Sequence, residues 1–252
     1  MNYKQLNTFN DWTKGQKDQF TVSIIKGLVI DGVRKANSGH PGGPMSLADF
    51  SYILYSEYLI FDSTNPDWDL RDRLVLSVGH TCMLLYTLLY LSDILTMEDL
   101  KQFRQLDSRT PGHPEIETPG VDANTGPLGQ GVGMATGMAL AERMLSARLS
   151  KNRKQYTYVL VGDGDLQEPI ALGAATLAGH WELSQLIMFY DKNDIQIAGK
   201  TSRCDSTNYA DLFKAMNWNV QEIDGHDHEQ IRRAIENGQE SSLPTIIIGN
   251  TT

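Results

Sequence analysis

The 252-residue sequence is poor in cysteine: only Cys82 and Cys204 are present. Two thiols cannot build a disulfide framework, and no close Cys/His cluster has zinc spacing. A reducing, cytoplasmic setting is therefore expected. Long apolar runs are also missing. The most apolar stretch, 82–91, is interrupted by Tyr86, Thr87 and Tyr90 and is too short to cross a bilayer. The N-terminus, MNYKQLNTFNDWTKGQKDQF, is polar, so neither a secretory signal nor a membrane role is expected. Basic charge is in deficit, with 22 Lys and Arg against 31 Asp and Glu, a net charge of −9. That balance argues against nucleic acid as the main partner, because phosphate binding needs a basic surface. It leaves room for a phosphorylated small molecule, because a metal can supply positive charge locally. The one basic run, Lys151-Asn152-Arg153-Lys154, reads as a solvated loop. No repeat or low-complexity segment is present.

With 40% hydrophobic residues, a chain of this length can bury a full core unaided. The second half alternates strand and helix patterns. Strands are expected at 156–161 (YTYVLV), 186–190 (LIMFY), 218–223 and 245–248, with a short one at 73–76. Helices are expected at 170–178, 209–216 and 227–236, the last ended by Gly238. The first half is mostly helical. Phe20, Ile24, Ile25, Leu28, Val29 and Val33 follow helical spacing over 19–36, and Pro44 fits the first turn of a helix to about residue 58. Thr96 is a candidate N-cap for a helix whose buried stripe would be Leu100, Phe103 and Leu106. The pattern predicts one α/β domain over 1–252, with a doubly wound, mostly parallel sheet and helices on both faces. Ligands of such sheets bind outside the carboxyl ends of the strands.

Gly162-Asp163-Gly164 follows a predicted strand directly, a glycine-rich turn whose glycines let backbone approach a ligand closely and whose Asp163 offers a hard oxygen ligand. Asp191-Lys192-Asn193-Asp194-Ile195 follows the next strand. Adjacent parallel strands would bring these loops side by side. Asp163, Asn193 and a backbone carbonyl would then cover one side of an octahedral Mg²⁺, leaving the rest to diphosphate oxygens and water. A second glycine-rich loop, GPLGQG at 126–131, feeds an apolar helical stretch over 132–149 and could hold an anion or approach a ring. His40, His80 and His113 all sit in Gly/Pro-rich loops, where function tends to concentrate. His180 reads as structural, and His226 and His228, flanking Asp227, as capping or solvated residues.

These segments together resemble the N-terminal, diphosphate-binding domain of the transketolase family. The resemblance runs through SGHPG at 38–42, DLRDR at 69–73, His80, FRQL at 103–106, TPGHPE at 110–115 and GPLGQG at 126–131. It continues through GDGDLQE at 162–168, LAGH at 177–180, Tyr190-Asp191, Asn193 and IDGHD at 223–227, covering about nine-tenths of the chain. It implies the thiamine-diphosphate-binding fold and thiamine diphosphate as cofactor, with Mg²⁺ or Ca²⁺. Carried over by position, Asp163, Asn193 and the Ile195 carbonyl would ligate the metal. Gly164 and His80 would contact the diphosphate, and Gly126 and Leu128 the aminopyrimidine. His40 and His113 would face substrate oxygens, and Glu168 would join a carboxylate network linking two active sites. The implied activity is transfer of a two-carbon ketol unit between sugar phosphates. Alternatives are a modified ketose donor, such as a sulfo- or deoxy-sugar, and a non-catalytic cofactor-binding subunit. Transketolases are much longer, and Pro169 stands where they carry glycine. The pyrimidine-binding and C-terminal domains are therefore expected on a partner chain, with two copies of each chain assembled. An apolar surface patch for that partner is expected near 126–131 and Glu168.

Overall fold

The computed structural model describes residues 9–149, 154–197 and 199–252. Residues 151–153 of the expected basic loop lie outside them. Helix α1 (Lys14–Ala36) starts earlier than periodicity alone indicates, because Thr13 and Gln16 form a reciprocal capping box. It ends at Asn37, whose φ of 48° is the left-handed conformation that stops helices. Helix α2 (Gly42–Ile53) holds Pro44 in its first turn and widens into a π-turn over Leu54–Tyr58. Strand β1 (Arg73–Leu76) leads into α3 (Cys82–Leu91), and α4 (Met97–Lys101) is capped by Thr96 as expected. The stripe expected on α4 is only partly formed. Leu100 and Phe103 are buried, but Leu106 is 93% exposed. The helix stops at Lys101, and the positive φ of Arg104 (60°) and Asp107 (57°) turns the chain outward.

Helix α5 (Gln130–Leu149) precedes β2 (Thr157–Gly162). The Gly162-Asp163-Gly164 segment is not a simple turn. Asp163–Leu166 forms one helical turn, α6, capped by the Asp165 side chain, which accepts from Gly162 N. In α7 (Pro169–His180), Pro169 occupies the first turn, where its missing N–H costs nothing. Strand β3 (Leu186–Lys192) is followed by a two-residue-per-arm hairpin, β4 (Ile195–Gln196) and β5 (Gly199–Lys200). Then come α8 (Tyr209–Ala215), β6 (Asn219–Asp224), α9 (His228–Glu240) and β7 (Thr245–Asn250). Gly238 does not end α9. It lies inside the helix, and a methyl group there would meet Ile187 and Thr245 at 3.3 Å.

The five main strands pair in parallel in the order β1-β2-β3-β7-β6. Alternation along the strands divides the core in two. Leu74, Leu76, Tyr158, Leu160, Ile187, Phe189 and Ile247 pack with buried residues of α1, α2, α3 and α9. Val75, Val159, Val161, Met188, Tyr190, Ile246 and Ile248 pack with those of α5, α7 and α8. The sheet is thus covered on both faces, as the sequence predicts. At its centre Phe50 of α2 stacks on Phe189, with centroids 3.9 Å apart. Each such buried ring contributes about 1.5–3 kcal/mol. Gly162 and Asp191 are register partners at the ends of β2 and β3, so the two loops predicted to converge do lie side by side. Among the described residues no helix is long and apolar enough to cross a membrane.

Candidate active site

A cavity of about 1230 Å³ opens at the carboxyl ends of β2, β3 and β7. His40, His80, Leu128, Asp163, Gly164, Asn193 and Ile195 all contribute to its wall, together with Asp191, the hairpin residue Lys200 and Cys204 beyond the hairpin. His113 and Gly126 lie outside this wall; His113 is exposed and packs beside Gly126, which in turn abuts Gly79, the residue before His80. A methyl group at Gly126 would lie 3.3 Å from the His113 ring, and one at Gly79 would lie 2.7 Å from Gly126 N. Only a residue without Cβ lets these two loops touch backbone to backbone. Glu168 is exposed outside the cavity wall, against Gly129 of the GPLGQG loop.

Asp163 is the most unusual group in the wall. It is 4% exposed. One carboxylate oxygen accepts from the Tyr190 hydroxyl at 2.6 Å, and Oδ2 is buried without a hydrogen-bond partner. Burial pushes its carboxyl up. The charges of Asp194 and Asp191 add to that, against the Tyr190 bond. An uncompensated buried carboxylate costs several kcal/mol, and a hard divalent cation compensates it. Across the loop, Asn193 Nδ2 donates to Asp191 Oδ2 at 3.1 Å, while Asn193 Oδ1 accepts from Ile195 N at 3.0 Å and keeps a second lone pair. Among the described residues no group of three or more His, Cys, Asp and Glu could hold a metal. The oxygens on offer are one carboxylate, one amide and backbone carbonyls. Such a set suits Mg²⁺ or Ca²⁺ completed by ligand oxygens and water.

Two further carboxylates, Asp165 and Asp191, lie inside motifs visible in the sequence and organise the site. Asp165 accepts from Ser77 Oγ at 2.5 Å, Gly129 N at 2.8 Å and Gly162 N at 3.1 Å. It therefore ties the loop after β1, the GPLGQG loop and the end of β2 to one point. Asp191 accepts from Ser46 Oγ at 2.5 Å, from Asn193 and from Thr251 Oγ1. It joins α2, the loop after β3 and the segment after β7. Burial raises both carboxyls against the pull of these hydrogen bonds. The spacing of Asp165 from Asp163 was a visible signal; its partners at 77 and 129 were not.

The histidines separate into two groups. The rings of His40 and His80 meet edge to face with centroids 5.0 Å apart. Burial, followed by the neighbouring His40, His113 and Arg104, pulls His80 down to about 4. His113 is lowered by burial, Arg104 and His40, with Glu115 opposing. His226 and His228 are neither caps nor simply solvated. Asp227 is the cap of α9, accepting from Glu229 N and Gln230 N. The two histidines instead bracket Asp49, with His226 Nδ1 at 3.0 Å and His228 Nε2 at 2.8 Å. Burial alone would raise Asp49, but its bonds to His228, His226 and Lys26 outweigh this and hold it at about 2. His180 is the exposed last residue of α7. At the place where an apolar patch is expected, Ile170 (52% exposed) lies against Gly129; Leu177 of α7 and, toward the C-terminal end of α5, Met144, Leu145 and Leu149 are exposed as well.

An open parallel sheet, covered on both faces and carrying oxygen-rich loops at its carboxyl edge, defines an α/β ligand-binding domain of the doubly wound class. Comparison with known proteins gives the family. Residues 17–252 match the model described as "Transketolase, thiamine diphosphate binding domain". The transketolase of Halalkalibacterium halodurans is 47% identical over 242 residues, covering 93% of this chain and 36% of the relative. The crystal structure of Campylobacter jejuni transketolase superposes with a TM-score of 0.92 at 46% identity, covering 94% of this chain and 38% of that one. A Pichia stipitis transketolase, described in complex with sedoheptulose 7-phosphate, gives a TM-score of 0.90 at 41% identity, covering 93% and 36%. The chain belongs to the transketolase thiamine-diphosphate-binding domain family, and it spans a little over a third of the length of these relatives.

Proposed function

We propose that this chain is the diphosphate-binding, N-terminal part of a transketolase that moves a two-carbon ketol unit from a ketose phosphate to an aldose phosphate. The observation that carries the reading is the buried, unpartnered oxygen of Asp163, in a cavity wall shared with Asn193 and Ile195. Thiamine diphosphate, when bound, supplies the nucleophilic carbon for breaking and making the carbon–carbon bond. Asp163, Asn193 and the Ile195 carbonyl hold Mg²⁺ or Ca²⁺, whose charge offsets the burial of Asp163 and attracts the diphosphate. Gly164 and His80 lie along the diphosphate. Gly164 leaves backbone accessible where a methyl group would strike Leu128 at 2.9 Å. Gly126 and Leu128 support the aminopyrimidine.

His40 and His113 donate hydrogen bonds to substrate hydroxyl and carbonyl oxygens and carry protons there. His80, held neutral, adds no charge beside them. Glu168, at the exposed edge of the GPLGQG loop, belongs to a carboxylate link between paired sites. The remaining requirements are a carboxylate on the pyrimidine side and most sugar-phosphate ligands. They fall to a pyrimidine-binding partner docked on the apolar surface of α5 and α7, two copies of each polypeptide assembling together. The sugar phosphate in the Pichia stipitis structure supports this substrate class. The test is a ketol-transfer assay with sedoheptulose 7-phosphate as donor, an aldose phosphate as acceptor, thiamine diphosphate and Mg²⁺. Activity is expected when the chain is mixed with a polypeptide carrying the pyrimidine-binding half, and none for the 252-residue chain alone. Full activity of the chain alone refutes the partner requirement, and inactivity of the assembled mixture refutes the transferase reading.

A further inference from the structure

The FRQL segment contributes nothing to the cavity wall, yet its arginine sits at a junction of the site. Arg104 Nη1 donates to Ser38 Oγ at 2.8 Å, two residues before His40. Its Nη2 reaches the Gly112 carbonyl at 3.4 Å, immediately before His113. Arg104 N donates to Thr110 O at 2.9 Å, and Arg104 itself holds a φ of 60°, which an arginine adopts only under constraint from its surroundings. The side chain lies on Gly112, where a methyl group would meet Arg104 Nε at 3.3 Å, and Nε is buried without a partner. The His113 loop has other anchors. The Tyr86 hydroxyl donates to the Pro111 and His113 carbonyls, and Cys82 Sγ lies 3.2 Å from the Gly112 carbonyl. The His40 loop is held more lightly, with Ser38 N bonded to Val33 O at 3.3 Å.

We propose that Arg104 is a positioning residue, a clamp that fixes the His40 loop against the anchored His113 loop so that both imidazoles address one substrate. The planar fork explains the residue type. Two N–H groups of fixed relative direction reach two loops at once, which a lysine ammonium cannot reproduce. This role rests on the proposed transferase activity, but the clamp itself is a property of the chain and is measurable without turnover.

The test compares the parent chain with Arg104→Met, Arg104→Lys, Ser38→Ala and the Arg104→Met/Ser38→Ala double variant. Each is examined by ¹⁵N NMR of the His40 and His113 imidazoles in the full chain, and by transfer kinetics from sedoheptulose 7-phosphate to an aldose phosphate in the assembled complex. The expected result is shifted or broadened His40 signals in all the variants and a kcat lowered by about 10- to 100-fold for Arg104→Met. Arg104→Lys should not restore it, cofactor affinity should stay within about threefold, and the double variant should be no worse than Arg104→Met, as for two ends of one contact. Ser38→Ala serves as the milder probe should Arg104→Met unfold. Unchanged His40 signals overturn the clamp whatever the activity. Altered signals with unchanged kcat and KM overturn its positioning role. A parent complex without ketol transfer refutes the transferase reading, and the NMR comparison alone then decides the clamp.

Discussion

Removing Asp165 should damage the fold and the site together, and the size of the loss can be worked out from its contacts. The carboxylate is fully buried and receives three donors: Ser77 Oγ, Gly129 N and Gly162 N. Asp165→Ala leaves all three without an acceptor. Each buried orphan costs about 1–3 kcal/mol, roughly 3–9 kcal/mol in all. The variant also escapes the desolvation cost of a buried ion, several kcal/mol. The net loss is about 1–5 kcal/mol, a substantial part of a typical stability of about 5–15 kcal/mol. Asp165→Asn keeps one acceptor oxygen but turns an amide N–H toward a donor, and should lose about 1–3 kcal/mol. Urea unfolding measures both, with an unchanged slope showing that the same surface is exposed. Thiamine diphosphate affinity should weaken in parallel, because the GPLGQG loop loses its tie to the end of β2. Both variants within about 0.5 kcal/mol of the parent would refute the view that Asp165 holds these loops together.

Other consequences are more local. His40→Ala and His113→Ala should lower turnover by about 10²–10⁴-fold while leaving cofactor affinity nearly intact; calorimetry beside steady-state kinetics separates the two, and full turnover would make them structural loop residues. His80 should stay neutral down to about pH 4, against an ordinary value of 6.5. Between those values the unfolded chain binds the extra proton, so stability falls as pH drops through that window and is insensitive to this group above it. An NMR titration of His80 with a midpoint near 6.5 would contradict this.

Much of this architecture was legible in local pattern. The β-branched runs of β2, β3 and β7 announced buried parallel strands, and their order along the chain placed the GDG and DKN loops side by side. The register of Gly162 with Asp191 bears that out. Errors arose where distant partners decide. Leu106 fits the α4 stripe by spacing, but the left-handed turn at Arg104 ends the pattern before it. His226 and His228 look like cap residues because their partner, Asp49, is distant in sequence and meets them only once α2 packs beside α9. Asp165 and Asp191 stood inside recognised motifs, yet their work is to gather loops from separate parts of the chain. Gly238 looked like a helix stop because glycine commonly is one; here it permits close packing of α9 on β3 and β7.

The central claim is that the cavity beside Asp163 holds a diphosphate through a divalent cation. Calorimetric titration of the assembled complex with thiamine diphosphate, with Mg²⁺ and with the metal chelated, tests it most directly. Saturable binding is expected that requires the cation and is abolished by Asp163→Ala and by Asn193→Ala, each of which removes an oxygen from a hard-cation site. Near-parental affinity in both variants, or equally tight binding after chelation, would contradict it.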